Sequence, residues 1–189
     1  MQMIASGQRT ILRDGLHSDL ECYMSWMTQG RWLQYDAPWE TDHGSPDAAS
    51  ERFLTNFLQC QSSPRKRAII CPKDHRERPI GWVNRYGDKR LPGAWLIGID
   101  ICEDAYLNKG HGTEALRLWV DYLFLNSKIH RLGFDTHSFN VRMVRVGEKL
   151  GFALEGTERE VIYWHDAWIA RLHFGLLRSE WASARQKGP

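Results

Sequence analysis

The chain has 189 residues with 25 basic and 23 acidic side chains and a net charge of +2, which argues against nucleic acid or a membrane surface as the main partner. Its length is typical of one domain with a substantial core. A hydrophobic content of 42%, with nine Trp, argues against a disordered chain.

The cysteine pattern and the N-terminus bear on the compartment. Cys22, Cys60, Cys71 and Cys102 are scattered without a Cys-x-x-Cys pair, which favours free thiols in a reducing environment. The N-terminus lacks an apolar signal core, and no stretch approaches the length of a membrane span. We therefore expect a cytoplasmic protein.

The first half of the chain predicts short strands and two helices. In order, the patterns indicate a strand over 9–13, a helix over 18–27, an irregular segment over 30–46, a helix from about 45 to 61, and paired strands over 68–71 and 80–84. Pro46 suits the first turn of the second helix. The irregular segment is unusually aromatic and acidic, with Trp32, Tyr35, Asp36, Trp39, Glu40 and Asp42.

The centre of the chain predicts a phosphate-binding loop. An apolar strand over 94–102 leads to a loop with Gly110 and Gly112, and a helix follows from about Thr113. Glycines let the backbone approach a ligand closely. The free N–H groups and the dipole of a helix start favour an anion there.

The rest of the chain predicts a second parallel strand and a closing hairpin. A strand over 131–137 makes a right-handed crossover with the central strand. A helix over 140–150 ends at Gly151, and two strands over 152–161 and 167–177 enclose a turn at 165–166.

A dinucleotide site is one interpretation of the loop. Gly110-x-Gly112-x-x-Ala115 fits that fingerprint, and Asp135 lies roughly 20 residues on, where a ribose-binding acid is expected. Two features argue against it. Residues 103–109 separate the strand from the glycines, and the motif follows the midpoint of the chain instead of opening a series of βαβ units.

The segment Leu107-Asn-Lys-Gly-His-Gly112 resembles the acyl-CoA motif of the GNAT superfamily of N-acyltransferases, (Gln/Arg)-x-x-Gly-x-(Gly/Ala). Leu107 departs from it as in the ribosomal-protein alanine acetyltransferase branch. Residues 140–156 resemble the Asn-x-x-Ser-x-x-x-x-Glu-Lys-x-Gly-Phe-x-x-Glu-Gly signature of that branch, with Met143 in place of serine. Gly98-Ile-Asp100 is similar to a strand of the aminoglycoside 6′-N-acetyltransferases.

The resemblance implies a single α/β domain over residues 1–189, with a mixed, twisted sheet flanked by helices. It implies acetyl-CoA as co-substrate, no metal, and direct attack by a primary amine of a small molecule or a protein N-terminus. The resemblance is also compatible with a homodimer. The implied cofactor-binding residues are Ile101, Cys102, Leu107, Asn108, Lys109, Gly110, His111, Gly112, Thr113 and Asn140.

Acetylation of an alkyl amine needs a base, because such amines have a pKa of about 10. Asp100 is the leading candidate, since it interrupts an apolar strand that should raise its pKa. Glu103 is the alternative base. In the superfamily a backbone N–H near Ile101 or Cys102 polarises the thioester carbonyl.

The acceptor is expected at the aromatic segment. Aromatic faces and carboxylates attract ammonium groups, which favours Trp32, Tyr35, Asp36 and Trp39 as substrate-binding residues. The alternative is that these rings only cover the core. A non-catalytic acyl-CoA-binding regulatory module is the alternative function.

Overall fold

The computed structural model describes residues 2–39, 46–59, 62–87 and 91–186. The strands in these ranges are β1 (Met3–Ser6), β2 (Thr10–Arg13), β3 (Arg67–Pro72), β4 (Gly81–Tyr86), β5 (Ala94–Ile101), β6 (Arg131–His137), β7 (Ala153–Trp164) and β8 (Ala167–Leu177). The helices are α1 (Leu20–Trp26), α2 (Pro46–Phe53), α3 (His111–Leu125), α4 (Val141–Lys149) and α5 (Arg178–Gln186).

The fold class is α/β, as predicted, with a mixed sheet flanked by helices. The strand order is β1-β2-β3-β4-β5-β6-β8-β7. The pairs β1–β2, β2–β3 and β3–β4 are antiparallel, as are β6–β8 and β8–β7. The β5–β6 pair is parallel, which confirms the predicted crossover through the central helix.

The chain divides into two compact units, one of residues 1–84 and 99–126 and one of residues 85–98 and 127–189. The expectation of a single domain stays a prediction. In the first unit, an aromatic cluster joins α1 and α2 to the sheet. Tyr23 lies 5.2 Å from Phe53 and 5.4 Å from Trp82 between ring centroids, and all three are buried.

A buried ion pair also organises the first unit. Arg13 donates to both carboxylate oxygens of Asp19 at 2.6 and 2.8 Å, and the two side chains are 0% and 1% exposed. The same guanidinium donates to the carbonyl of Arg76 at 3.0 Å, in the connection between β3 and β4. One buried side chain therefore ties β2, the start of α1 and a charged loop together.

The second unit packs α4 against the sheet through aromatic rings. Phe134 stacks on Phe174 at 4.8 Å, and the ring of Phe152 meets Phe134 edge-on at 5.1 Å. A side chain at Gly147 would press into Phe134, with its Cβ at 2.5 Å from the ring. Glycine on α4 therefore permits close helix–sheet packing.

The predicted elements need several corrections. β1 and α5 were not expected; β1 is a four-residue strand whose structure depends on pairing with β2. The second helix stops being α-helical at Phe53 and continues as a π-helix over Leu54–Gln59. The central helix begins at His111, earlier than the predicted Thr113. No helix within the described ranges is both long and apolar enough to cross a membrane.

Candidate active site

The predicted phosphate-binding loop is a left-handed turn that leads directly into α3. Gly110 has φ +88° and is the N-cap, and Asn108 has φ +60°. Asn tolerates this conformation better than most residues, and glycine adopts it without strain. The first intrahelical bond runs from the N–H of Glu114 to the carbonyl of Gly110 at 3.1 Å. The N–H groups of residues 111–113 precede that bond and point out of the helix start.

The start of α3 is held in place by the turn between β1 and β2. The Glu114 carboxylate accepts hydrogen bonds from the backbone N–H groups of Gln8 at 2.8 Å and Arg9 at 2.9 Å. Burial alone would raise the pKa of Glu114, but these hydrogen bonds and those from Thr10 lower it below its ordinary value. The Glu114 carboxylate is therefore held charged, and its hydrogen bonds fix the start of α3 to the β1–β2 turn. These bonds are made within the protein and do not need a ligand.

Gly112 has a different role from Gly110. A Cβ at Gly112 would lie 3.4 Å from Ile101 Cγ1 and 4.0 Å from Ile99 Cδ1, which are ordinary contact distances. Packing among the described residues therefore does not require glycine at this position. Its lack of a side chain leaves room on the exposed side of the helix start.

Leu107, Lys109 and Thr113 complete the predicted loop. Leu107 is half-buried at the end of a 3₁₀ turn over Asp104–Tyr106, and Lys109 is exposed. Thr113 is half-buried in the first turn of α3. Residues 107–113 thus form one continuous segment, a loop over 107–110 followed by the first residues of α3.

Asp100 is half-buried near the end of β5. Burial raises its pKa well above the ordinary value, and the negative charge of Asp36 raises it further. A Cβ on Gly81 would overlap the backbone carbonyl oxygen of Asp100, so glycine lets β4 approach β5 closely at this point. Gly81 was not identified from the sequence, because this long-range approach has no local pattern.

Glu103 and Cys102 make contacts that limit their chemistry. Glu103 Oε1 accepts a hydrogen bond from the indole N–H of Trp26 at 2.8 Å. The backbone N–H of Cys102 donates to the carbonyl of Ile80 at 2.9 Å. Of the two N–H groups predicted to polarise a thioester, the one at Cys102 is therefore already engaged. Burial raises the pKa of the Cys102 thiol, and the charges of Asp100, Glu103 and Asp36 raise it further, so the thiol stays protonated.

The aromatic segment lies against the residues that follow β5. The backbone N–H of Arg31 donates to Asp104 Oδ1 at 3.1 Å. Trp32 is only 6% exposed; its indole donates to the carbonyl of Trp26 at 3.0 Å, and its ring packs edge-on against Trp82. Trp32 thus belongs to the aromatic core, as the alternative interpretation held for these rings.

The other predicted acceptor residues are more accessible. Tyr35 and Trp39 are half-buried, and Asp36 is exposed. Glu40 and Asp42 lie outside the described residues. Among the described residues of the predicted acceptor set, one exposed carboxylate and two partly exposed rings are therefore accessible.

Asn140 lies in the second unit. Its side-chain oxygen caps α4 by accepting from the N–H of Met143 at 3.2 Å. Asp135, the ribose-binding acid of the dinucleotide interpretation, binds Arg171 Nη2 at 2.5 Å and His173 Nδ1 at 2.8 Å. The Asp135 carboxylate thus links β6 to side chains of the neighbouring strand β8.

The comparison with known proteins supports the predicted acetyltransferase family. The family described as Acetyltransferase (GNAT) domain matches residues 9–153. The chain is 25% identical to an aminoglycoside N(6′)-acetyltransferase type 1 of Klebsiella pneumoniae over 164 residues, or 80% of this chain and 78% of that protein. A second relative is an uncharacterized N-acetyltransferase, YokL, of Bacillus subtilis, 28% identical over 101 residues. That match covers 53% of this chain and about half of the relative, 56%.

The fold is also found in a solved structure. Spermidine N-acetyltransferase from Vibrio cholerae, in complex with CoA and spermine, superposes with a TM-score of 0.75 at 18% identity. The superposition covers 92% of this chain and 98% of the other.

Proposed function

Because the chain belongs to the GNAT acetyltransferase family, we propose that it is an N-acetyltransferase that moves an acetyl group from acetyl-CoA to a primary amine. The amine nitrogen attacks the thioester carbonyl carbon, a C–N bond forms and the C–S bond breaks. One proton leaves the ammonium form of the acceptor before attack. A second leaves the nitrogen as the amide forms and neutralises the CoA thiolate.

The loop over residues 107–113 is the proposed site for the CoA pyrophosphate. Its support is the left-handed Gly110, the outward N–H groups of residues 111–113 and the open space at Gly112. Backbone donors and the helix dipole favour an anion there. Since the β1–β2 turn fixes the helix start through Glu114, little ordering has to accompany binding.

Asp100 is the proposed base, and its environment is the observation that carries the mechanism. Burial and the neighbouring Asp36 raise its pKa, which brings the carboxylate closer to the pH at which it can exchange a proton. Glu103 is a weaker candidate because its carboxylate already accepts the indole hydrogen bond of Trp26. Ile101 is the proposed source of the N–H that polarises the thioester, since that of Cys102 binds Ile80.

The proposed acceptor is an amine that carries more than one positive charge. Asp36, Asp100 and Glu103 all act electrostatically on Cys102, so three carboxylates surround this end of β5. Such a cluster attracts cations, and Tyr35 and Trp39 add aromatic faces. The similar proteins include enzymes named for aminoglycosides and for spermidine. A protein N-terminus carries a single amine, so its electrostatic attraction to these three carboxylates would be weaker.

The test is acetyl-CoA consumption with three acceptors: spermidine, an aminoglycoside and a peptide with a free N-terminus. We expect CoA release with at least one, and a higher kcat/KM for the two polyamines. Blocking the amines by prior acetylation is the control and should abolish release. If CoA binds but no amine releases it, the chain is a binding module. Preference for the peptide would remove the polycation proposal.

A further inference from the structure

Asn84 on β4 carries a buried polar atom that the protein leaves without a partner. Among the described residues, its side-chain oxygen Oδ1 is the one buried side-chain nitrogen or oxygen that has no hydrogen-bond partner. Buried polar groups are almost always hydrogen-bonded, because an unpaired acceptor loses its hydration without compensation. An exception of this kind indicates a position where a ligand can supply the missing donor.

The alternation of side chains along β4 places Asn84 on the face of the sheet against which α1 packs. Trp82, two residues earlier, belongs to that face, since its ring centroid lies 5.4 Å from that of Tyr23 on α1. Residues two apart on a strand share a face. The backbone carbonyl of Asn84 accepts the indole N–H of Trp119 on α3 at 2.9 Å. The backbone that carries the unpaired oxygen is therefore held in place by α3.

The proposed base lies on the same face of the sheet. A Cβ at Gly112 would contact side-chain atoms of Ile99 and Ile101, so these two side chains point to α3. Asp100 lies between them and therefore points to the α1 side. β4 and β5 are neighbours in the sheet, and the first residue of β4 lies against the Asp100 carbonyl. Asn84 is three residues further along β4, about 10 Å at the rise of an extended strand.

The charge on this face changes sign between the two residues. The carboxylate of Asp36 acts electrostatically on Asp100, so the region near Asp100 is acidic. Arg67 is directly opposite Asn84 on β3, and directly opposite residues share a face. The Arg67 guanidinium lies 5.8 Å from the centroid of the Phe57 ring. An ammonium group is therefore favoured near Asp100, whereas an uncharged donor such as a hydroxyl suits Asn84, because a second ammonium would meet the charge of Arg67.

We propose that Asn84 is a specificity-determining residue of the acceptor site, where its Oδ1 accepts a hydrogen bond from a hydroxyl group of an amine held at Asp100. The acceptor class is then a primary amine that also carries a hydroxyl, a few carbon atoms away from the nitrogen. The inference rests on the proposed function, since it places the reacting amine at Asp100. An alkylamine without a hydroxyl leaves the buried oxygen unpaired and should bind less tightly.

A binding role and a structural role of Asn84 differ in their effect on stability. Replacing a buried, unpaired acceptor with an apolar group of similar shape removes a desolvation penalty, so the change is neutral or stabilising. Asn84→Leu should therefore keep or raise the melting temperature while it removes the preference for a hydroxyl. Asn126 is exposed, and its amide donates to the Tyr122 carbonyl at 2.8 Å. Asn126→Leu is thus the matched control for that preference.

The experiment measures inhibition constants for pairs of amines, each an alkylamine and the amino alcohol in which a hydroxyl replaces its terminal methyl group, from propyl to hexyl. Each amine competes with the acceptor that supports the fastest CoA release. For the wild type and Asn126→Leu, the amino alcohol of at least one length should bind roughly tenfold more tightly, the scale of one hydrogen bond. Asn84→Leu should lose or reverse that preference. Asn84→Ala provides a second variant, and melting temperatures report whether each variant is folded.

The outcomes separate this inference from the proposed function. If the wild type shows no preference for the amino alcohol at any length, or if Asn84→Leu keeps the preference, the assignment of Asn84 is wrong and the acetyltransferase proposal stands. Lower melting temperatures in both Asn84 variants, with equal weakening of both amines, would mean that Oδ1 has a structural partner such as an ordered water, which also overturns the assignment. If no acceptor supports CoA release, the proposed function is overturned, and the assignment of Asn84 with it.

Discussion

Asp100 in the first unit and Asp135 in the second are two aspartates on interior strands that lie in opposite chemical surroundings. Asp135 binds a guanidinium and an imidazole, both within 2.8 Å. No cation of the described residues lies within salt-bridge distance of Asp100, whose strongest charged neighbour is another carboxylate, Asp36. The carboxylate of Asp135 is thus engaged by side chains of the sheet, whereas that of Asp100, beside a second carboxylate, is suited to proton exchange.

The largest expected effect is on turnover. Asp100→Asn should lower kcat by about 10²–10⁴-fold, because it removes the proposed base, while the Kd of CoA and the melting temperature change little. Asp135→Asn is the matched control and should retain most activity. Steady-state kinetics with the best acceptor measures both. An unchanged kcat in Asp100→Asn would show that Asp100 is not the base, and Glu103 would become the candidate.

A buried ion pair should cost more to break than the network around Asp135. Asp19→Asn leaves the Arg13 guanidinium in a site that is fully buried, and we expect a loss of about 3–5 kcal/mol in the free energy of unfolding. Asp135→Asn breaks partly exposed pairs, and its cost should be about 1 kcal/mol or less. Urea denaturation gives both values, and equal costs would contradict this account.

The proposed binding of the CoA pyrophosphate at residues 107–113 can be tested without unfolding the protein. Gly112→Asp places a carboxylate where a Cβ has ordinary contact distances, so the fold should persist. CoA affinity should fall by about a hundredfold, because like charges are brought together. Gly93→Asp is the control, since nothing lies within 4 Å of the added Cβ. Calorimetry that found wild-type CoA affinity in Gly112→Asp would place the pyrophosphate elsewhere.

Asp36 should act on both the acceptor and the base. Asp36→Asn removes a charge that raises the pKa of Asp100, so the acidic limb of the kcat profile should move to lower pH. The KM of a polyamine acceptor should rise several-fold, by roughly the value of one exposed charge interaction, while that of acetyl-CoA stays constant. If neither the pH profile of kcat nor the acceptor KM changes in Asp36→Asn, Asp36 is not part of the active site.

Trp32 provides the contrast to Asp36 within the same segment. Its ring lies in the core, so Trp32→Ala should lower stability by about 3–5 kcal/mol. The KM of the acceptor in the folded fraction should hold steady. A several-fold higher KM without loss of stability would instead place Trp32 in the acceptor pocket.

The smallest effect is the pH dependence of the Asp135 network. The hydrogen bond to Asp135 raises the pKa of His173; burial opposes this, and the hydrogen bond to Glu158 adds to it. The protonated imidazole therefore stabilises the folded state below the unfolded pKa of about 6.5. That contribution is lost as the pH rises through the higher pKa that His173 has in the folded protein. Denaturation of the wild type and His173→Gln at about pH 6 and pH 9 should show a difference only at the lower pH.

A stability difference that persists at the higher pH would mean that His173 contributes as a neutral hydrogen-bonding group. Arg171, which stays charged, also faces Asp135. It should hold part of the network at both pH values.

The sequence by itself determined the family, the fold class and the glycine turn that leads into α3, whereas the binding of a phosphate there stays a prediction. The loop could be predicted because its determinants are local: Gly110, Gly112 and the start of α3 lie within a few residues of one another. β6 was predicted to the residue, since its length and apolar pattern are local as well.

Tertiary structure alone decided how the candidate residues are used. Glu114 binds the N–H groups of Gln8 and Arg9 across more than 100 positions, and Gly81 makes room for Asp100. Trp32 resembled a ligand-binding residue in sequence but packs in the core. Local patterns report which residues share a helix or a strand face. Pairing between distant segments depends on how the whole chain closes on itself, and no local period encodes it.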